Sequence, residues 1–194
     1  MPSVLKLSML RRPGGVVLGK LTSVPITPKQ VRNGYDYAKQ YRDGLERLMP
    51  FTRLDLVIDS SGGLVESACG LLDALEDLDR PVRVLIDGVC YSAATLVAVC
   101  AKETCITPGS RIMIHTPRLA SYKKAEGIWS PVTKLGNLAT ARTFSQAYHD
   151  KTGQPRQLIK EWMKTERTFT AQEAVDAGFC DRIMNRWEWE NDHI

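Results

Sequence analysis

Apolar residues in this chain occur in short β-rich runs, and two of these runs are followed by segments with helical spacing. The first run covers residues 53–59, and apolar side chains then recur at helical intervals over residues 64–78. The second run, residues 81–86, leads through a turn at Asp87-Gly88 into an apolar helix predicted over residues 92–101. Because strands that alternate with helices need crossover connections, the pattern predicts an α/β fold with a mainly parallel sheet.

Further elements are predicted on both sides of this unit. In chain order they are a strand over 15–21, a helix over 28–48, strands over 104–106 and 111–114, and helices over 132–151 and 156–164. Thr170 and Glu173 form a capping box that predicts one more short helix, which Gly178 would end. Residues 116–131 lack periodicity and are interpreted as an extended excursion, and no element is predicted after Asp181.

Length and composition indicate one ordinary globular domain. The 194 residues are 43% hydrophobic and 25% charged, so we expect a single domain over residues 1–194. Lys and Arg exceed Asp and Glu by 26 − 22 = +4, but the basic residues are scattered, which argues against a nucleic-acid partner. The longest apolar stretch, residues 84–101, contains Asp87 and Gly88 and therefore predicts a buried strand and helix, with no membrane partner.

The cysteines indicate neither a zinc site nor a disulfide framework. Their number is odd and no two of them form a C-x-x-C pair (Cys69, Cys90, Cys100, Cys105 and Cys180). Cys90 lies two residues before Ser92 and is interpreted as a small packed side chain. We therefore expect a cytoplasmic protein without a metal or organic cofactor.

A functional site is predicted beyond the carboxyl ends of the two central strands, because ligand sites of open α/β sheets lie there. The loop at residues 60–63 supplies a glycine pair whose backbone can approach a substrate. Ser92 lies at or near the first turn of the next predicted helix, where free amides favour a developing negative charge. A serine nucleophile needs a base, and among His115, His149 and His193 only the first ends a strand beside this edge.

Three segments make a resemblance to a known family specific. The stretches DSSGG at 59–63, GVCYSAA at 88–94 and SRIMIHTP at 110–117 resemble, in order and separation, the motifs of the Clp protease proteolytic subunit. The likeness runs over residues 54–183 and includes KTG at 151–153 and FTAQEAVDAG at 169–178. It implies a ClpP/crotonase-like fold of repeated strand and helix units, with a protruding handle at about residues 118–151.

The resemblance also implies residue roles. Ser92 would be the nucleophile, His115 the general base, and the amides of Gly63 and Ala93 the oxyanion donors. The family's aspartate position falls on Glu166, whose extra methylene demands a different backbone offset. Two other carboxylates remain open as the third triad member, namely Asp150 and Asp176.

The implied activity is ATP-independent hydrolysis of peptides or unfolded proteins inside a ring, a heptamer or two stacked heptamers joined through residues 121–151. This chain departs from the family's pattern in having Ser61 where a proline usually precedes the glycine pair. It also has about a dozen residues before the predicted first strand, with no hairpin signal, which argues against docking to an AAA+ unfoldase partner.

Other functions remain open on the sequence. An acyl-CoA enzyme of the crotonase type would need no paired serine and histidine, and a serine–lysine peptidase would use Lys102 or Lys134 as its base. A catalytically inactive ring subunit is a third alternative, which the glutamate at position 166 keeps open. Phage-type members of the family have a similar closing motif, so processing of capsid or scaffold proteins is one biological role to test.

Overall fold

The computed structural model describes residues 3–12, 15–25, 37–117 and 131–192. The strands are β1 (Ser3–Arg11), β2 (Val16–Pro25), β3 (Arg53–Ser60), β4 (Val82–Tyr91), β5 (Glu103–Ile106), β6 (Arg111–Met113), β7 (Thr168–Thr170) and β8 (Arg182–Ile183). The helices are α1 (Tyr37–Glu46), α2 (Val65–Glu76), α3 (Ala94–Val99), α4 (Pro131–Thr152), α5 (Arg156–Lys164), α6 (Ala171–Asp176) and α7 (Arg186–Asn191).

The strands form one mixed sheet in the order β1-β2-β3-β4-β5-β8. The central pairs β2·β3, β3·β4 and β4·β5 are parallel, as the alternation of strands and helices predicted. Strand β4 changes partner along its length, because its first half pairs with β5 and its last three residues pair with β6. The α/β fold class is therefore confirmed, and the partner change brings the end of β6 beside the end of β4.

The core explains why these strands are so apolar. In β3, Leu54, Leu56 and Ile58 are fully buried in the larger hydrophobic cluster, which also contains side chains of α2 and the five apolar residues of α3. Val57 and Leu85 belong to a second, smaller cluster. Because successive residues of these strands are buried in one cluster or the other, the strands are apolar along almost their whole length. This is typical of a parallel sheet covered on two faces.

The expectation of no hairpin before the first strand is wrong. β1 pairs antiparallel with β2 in a register that runs from Ser3 opposite Pro25 to Arg11 opposite Val17. The cause is a period-two pattern in β1, in which Leu5 is buried while Lys6 and Ser8 are exposed. The observed pair extends the central sheet and makes β1 one end of its strand order.

The carboxyl-terminal segment, for which no element was predicted, contains β8 and α7. Asn185 and Glu188 form a capping box that starts α7, and Trp189 is buried in the smaller hydrophobic cluster. The Arg83 guanidinium stacks on the Trp189 ring at 4.3 Å from its centroid. This short helix thus contributes to the second hydrophobic cluster of the sheet.

Several other predictions on the second half of the chain are confirmed. The helices predicted over 132–151 and 156–164 correspond to α4 and α5, and the capping box of Thr170 and Glu173 starts α6. The predicted helix start near Thr27 and residues 118–130 of the excursion lie outside the described residues. Within the part of the chain that the structure covers, no helix is long and apolar enough to cross a membrane.

Candidate active site

Ser92 lies in a sharp turn between β4 and α3. Its backbone is left-handed, with φ of 56°, and its amide donates to the Met113 carbonyl of β6 at 2.9 Å. A serine in this conformation costs roughly 1–3 kcal/mol, and such strain is typical of a nucleophile held at a strand-to-helix turn. The helix predicted to begin at residue 92 begins at Ala94 instead, and Ala93 is its cap residue. Ser92 is therefore placed by the turn and not by the helix.

His115 follows β6 and faces this turn. Its Nε2 atom lies 2.6 Å from Ser92 Oγ, within hydrogen-bond distance. The backbone on either side of His115 is held by hydrogen bonds to the end of α5 and the segment between α5 and β7. The Ile114 amide donates to Arg167 O at 3.2 Å, and the Thr116 amide donates to Met163 O at 2.9 Å. The structure thus brings the predicted nucleophile and base together on a supported backbone.

Gly62 explains how the glycine loop can lie against the serine turn. Its φ is +92°, and a Cβ atom built on it would lie 2.5 Å from Tyr91 O and 2.7 Å from Ser92 Cβ. A side chain at this position would overlap the turn, since real Cβ contacts are not this short. The glycine pair was expected to let the backbone approach a substrate, and Gly62 also allows the loop to approach the serine turn.

Two backbone amides remain available beside the pair. The position that a Cβ of Gly62 would occupy lies 3.1 Å from the Ala93 amide nitrogen, so the loop and the serine turn meet at Ala93. No protein acceptor in the described ranges receives the amide of Gly63 or that of Ala93. Unpaired amides at a strand-to-helix junction are the usual donors to an oxyanion.

Glu166 lies in the turn between α5 and β7 that borders His115. Its φ is +53°, its side chain is exposed, and its amide donates to Met163 O. Because Met163 and Arg167 are the partners of the residues flanking His115, the turn that contains Glu166 runs directly alongside the histidine. The turn places the backbone of Glu166 beside the histidine, and the role of its carboxylate is a matter for proposal.

The other candidate carboxylates and bases have different surroundings. Asp150 accepts a hydrogen bond from Gln146 on the exposed side of α4, and Asp176 accepts one from Gln172 on α6. The Lys102 amide donates to Val82 O, at the start of β4. Since Ser92 follows the other end of this ten-residue strand, the backbone of Lys102 lies at the opposite end of β4 from the serine turn.

The remaining candidates from the sequence are also located. His149 donates from Nδ1 to Gln154 O at 2.9 Å, which joins it to the chain just beyond its own helix. His193 and the side chain of Lys134 lie outside the described parts. Cys90 is fully buried, and this burial raises the pKa of its thiol well above the usual value, so it is a core residue as expected.

A brace under the serine turn was missed by the sequence analysis. Thr95 donates its hydroxyl to Ser92 O at 2.5 Å, and the Thr95 Oγ1 and Tyr148 hydroxyl oxygens are 2.6 Å apart. Burial raises the pKa of Tyr148, so this phenol remains protonated and can donate to Thr95. Helix α4 is thereby connected to the backbone of Ser92. The residues are 53 positions apart, and no sequence signal pairs them.

A serine–histidine pair beyond the ends of parallel strands, with unpaired amides beside it, is the arrangement of a serine hydrolase. Comparison with known families makes the class specific. The Clp protease family model matches residues 44–187. This chain belongs to the Clp protease family.

Individual relatives agree with this assignment. The chain is 30% identical over 146 residues to the ATP-dependent Clp protease proteolytic subunit 1 of Protochlamydia amoebophila, covering 74% of this chain and 71% of the relative. It is also 30% identical over 142 residues to the protein of the same name from Chlamydia caviae, covering 72% and 74%. Both relatives are proteolytic subunits by name, which supports a peptidase family for this chain.

A solved structure supports the fold. A mutant of ClpP1 from Listeria monocytogenes superposes with a TM-score of 0.66 at 22% identity, covering 77% of this chain and 85% of that one. At this identity the likeness shows the fold alone. The fold expected from the resemblance is therefore confirmed.

Proposed function

We propose that this chain is a serine endopeptidase in which Ser92 attacks the peptide carbonyl and His115 acts as general base. The observation that carries the proposal is the 2.6 Å contact between Ser92 Oγ and His115 Nε2, in a member of a protease family. A crotonase-type enzyme would not need this pair, because its chemistry relies on backbone amides. Lys102 is a poor candidate for the base of a serine–lysine peptidase, because its backbone lies beside the start of β4 and Ser92 follows the end of that strand.

Acylation begins with the transfer of a proton. As Ser92 Oγ forms a bond to the carbonyl carbon, its hydrogen passes to His115 Nε2. The carbonyl oxygen becomes an oxyanion, which the amides of Gly63 and Ala93 stabilise. The bond between carbon and the leaving nitrogen then breaks, and His115 returns the proton to that nitrogen, which leaves an ester on Ser92.

Deacylation repeats these steps with water. His115 Nε2 takes a proton from water, whose oxygen attacks the ester carbon, and the proton returns to Ser92 when the ester bond breaks. In this cycle Nε2 accepts a proton from the hydroxyl, so the resting ring must carry its own proton on Nδ1. We assign Glu166 to accept that proton's hydrogen bond. The support is that Met163 and Arg167, from the same turn, accept hydrogen bonds from the amides on either side of His115.

The proposed substrates are peptides and unfolded proteins, cleaved without ATP by a ring of subunits. The support is family membership together with α4, a helix of 22 residues and about 33 Å that lies in the second part of the range proposed as the handle. A ring around its active sites would exclude folded proteins. We expect sedimentation velocity of the purified chain to give a species of at least seven subunits, and an active, monodisperse monomer would contradict the ring.

Labelling with a serine-directed probe tests the proposed chemistry. We expect a fluorophosphonate to label one serine per subunit, mapped to Ser92 by mass spectrometry, since the pair activates this hydroxyl. Ser92→Ala is the matched control and should remain unlabelled. An intact assembly that takes up no probe would instead favour the inactive ring component.

A further inference from the structure

The loop that carries the glycine pair is tied to the first two strands by a ring of hydrogen bonds. Ser23 Oγ lies 2.6 Å from Gly62 O and 2.7 Å from Ser60 Oγ, which accepts from the Gly62 amide at 3.2 Å. Ser3 adds a second donor to the same carbonyl at 3.3 Å, and its own carbonyl accepts from the Leu64 amide at 2.8 Å. The residues of β1 and β2 thus contact the loop on both sides of Gly63.

The donor directions in this ring are determined by chemistry. A carbonyl only accepts, so the hydroxyl hydrogen of Ser23 points at Gly62 O. Ser23 Oγ then accepts from the hydroxyl of Ser60, which in turn accepts from the Gly62 amide. Each hydrogen bond of the ring thus has one donor and one acceptor, so the ring holds the loop in one arrangement.

The Gly62 carbonyl and the Gly63 amide belong to the same peptide unit. A peptide unit is planar and trans, so fixing the direction of its C=O also fixes the direction of its N–H. Two hydroxyls on the carbonyl side therefore aim the Gly63 amide away from β1 and β2. A carbonyl that accepts hydrogen bonds also polarises its own amide, which makes the Gly63 N–H a stronger donor.

The loop needs such support because its own residues do not stiffen it. Position 61 is an exposed serine whose φ no proline ring fixes. The two glycines that follow have the widest conformational freedom of any residue. Without external hydrogen bonds, the peptide unit between them could rotate and withdraw its amide from the site.

We propose that Ser23, assisted by Ser3, is a positioning residue that aims the Gly63 amide at the oxyanion. The inference rests on the proposed function, because it assigns a part of that catalytic apparatus to the first two strands. Ser23 touches no reacting atom and acts through Gly62. Strand β1 then belongs to the framework of the active site as well as to the edge of the sheet.

Kinetics of Ser23 variants test this role. We expect Ser23→Ala to lower kcat for fluorescently labelled casein by about tenfold, less than the 10² to 10³ typical of deleting a donor outright. KM and the midpoint of the pH–rate profile should stay unchanged, since His115 keeps its surroundings. Ser8→Ala is the matched control, because Ser8 is an exposed serine of β1 away from the loop, and it should retain full activity.

A pair of nearly isosteric variants separates the hydroxyl from packing. Ser23→Thr keeps a donor on β2 and should restore most of the activity, whereas Ser23→Val should lose about tenfold in kcat as alanine does. Equal activity of the threonine and valine variants would overturn the inference while leaving the peptidase intact. Failure of the proposed function looks different, because wild-type protein would then neither cleave casein nor take up the fluorophosphonate.

Discussion

Replacement of His115 by alanine is expected to lower kcat by about 10⁴-fold or more while leaving the fold intact. The ring is half-buried at the surface of the site and its Nε2 atom is 2.6 Å from Ser92 Oγ. Without it, no group removes the hydroxyl proton as the serine attacks. Casein hydrolysis measures the loss, and circular dichroism with a thermal melt verifies that the variant remains folded.

The controls for this variant compare the other candidate groups. Lys102→Ala should retain wild-type activity, because the lysine belongs to the opposite end of β4. Glu166→Gln should be intermediate, with kcat lower by about 10²-fold, since it weakens the hold on Nδ1 but leaves the base in place. If His115→Ala stayed active while Lys134→Ala did not, a serine–lysine mechanism would replace the proposed one.

The central strands and helices were predictable because their signals are local. The apolar run of β3, the run of β4 and the helical spacing after β3 each depend on a few neighbouring residues. The position of His115 at the edge followed from the same logic, since parallel strands end at a common edge. Local patterns therefore predict which strand ends and which histidine lie at the site.

Two elements at the ends of the chain were missed although their signals were present. The alternation of Leu5, Leu7 and Met9 with polar residues is a strand pattern, and Asn185-x-x-Glu188 is a capping box like the one recognised at Thr170. Each element buries an apolar side chain against the sheet, Leu5 from β1 and Trp189 from α7, and this packing is what stabilises it. That packing is invisible in the sequence.

The conformation of the serine turn was not predictable in this way. Nothing in the local sequence marks Ser92 or Glu166 as left-handed, because both residue types prefer negative φ. Each such residue costs on the order of 1–3 kcal/mol and persists only where its surroundings impose it. Here the surroundings are Met113 O for Ser92 and the amides of Ile114 and Thr116 for the turn of Glu166, contacts that only the folded chain supplies.

The second large effect is expected for Gly62, which no proposed chemical step uses directly. Gly62→Ala should lower kcat by about 10³-fold, because relief of the overlap must displace the Ser92 turn or the Gly63 amide, and catalysis is sensitive to displacements of about 1 Å. The new Cβ would lie 2.5 Å from Tyr91 O, and this backbone atom cannot rotate away as a side chain could. Alanine also resists the φ of +92°.

The same variant should be less stable by about 2–4 kcal/mol, since strain at a special backbone position adds to overpacking. A thermal melt would then move down by about 5–12 °C for a chain of this size. Gly109→Ala is the matched control: it lies in the turn between β5 and β6, and a Cβ there would meet nothing within 4 Å. We expect that control to keep both its melting temperature and its activity. A Gly62→Ala protein with wild-type kcat would show that the loop and the serine turn need no close contact, and the oxyanion donors would then have to be sought elsewhere.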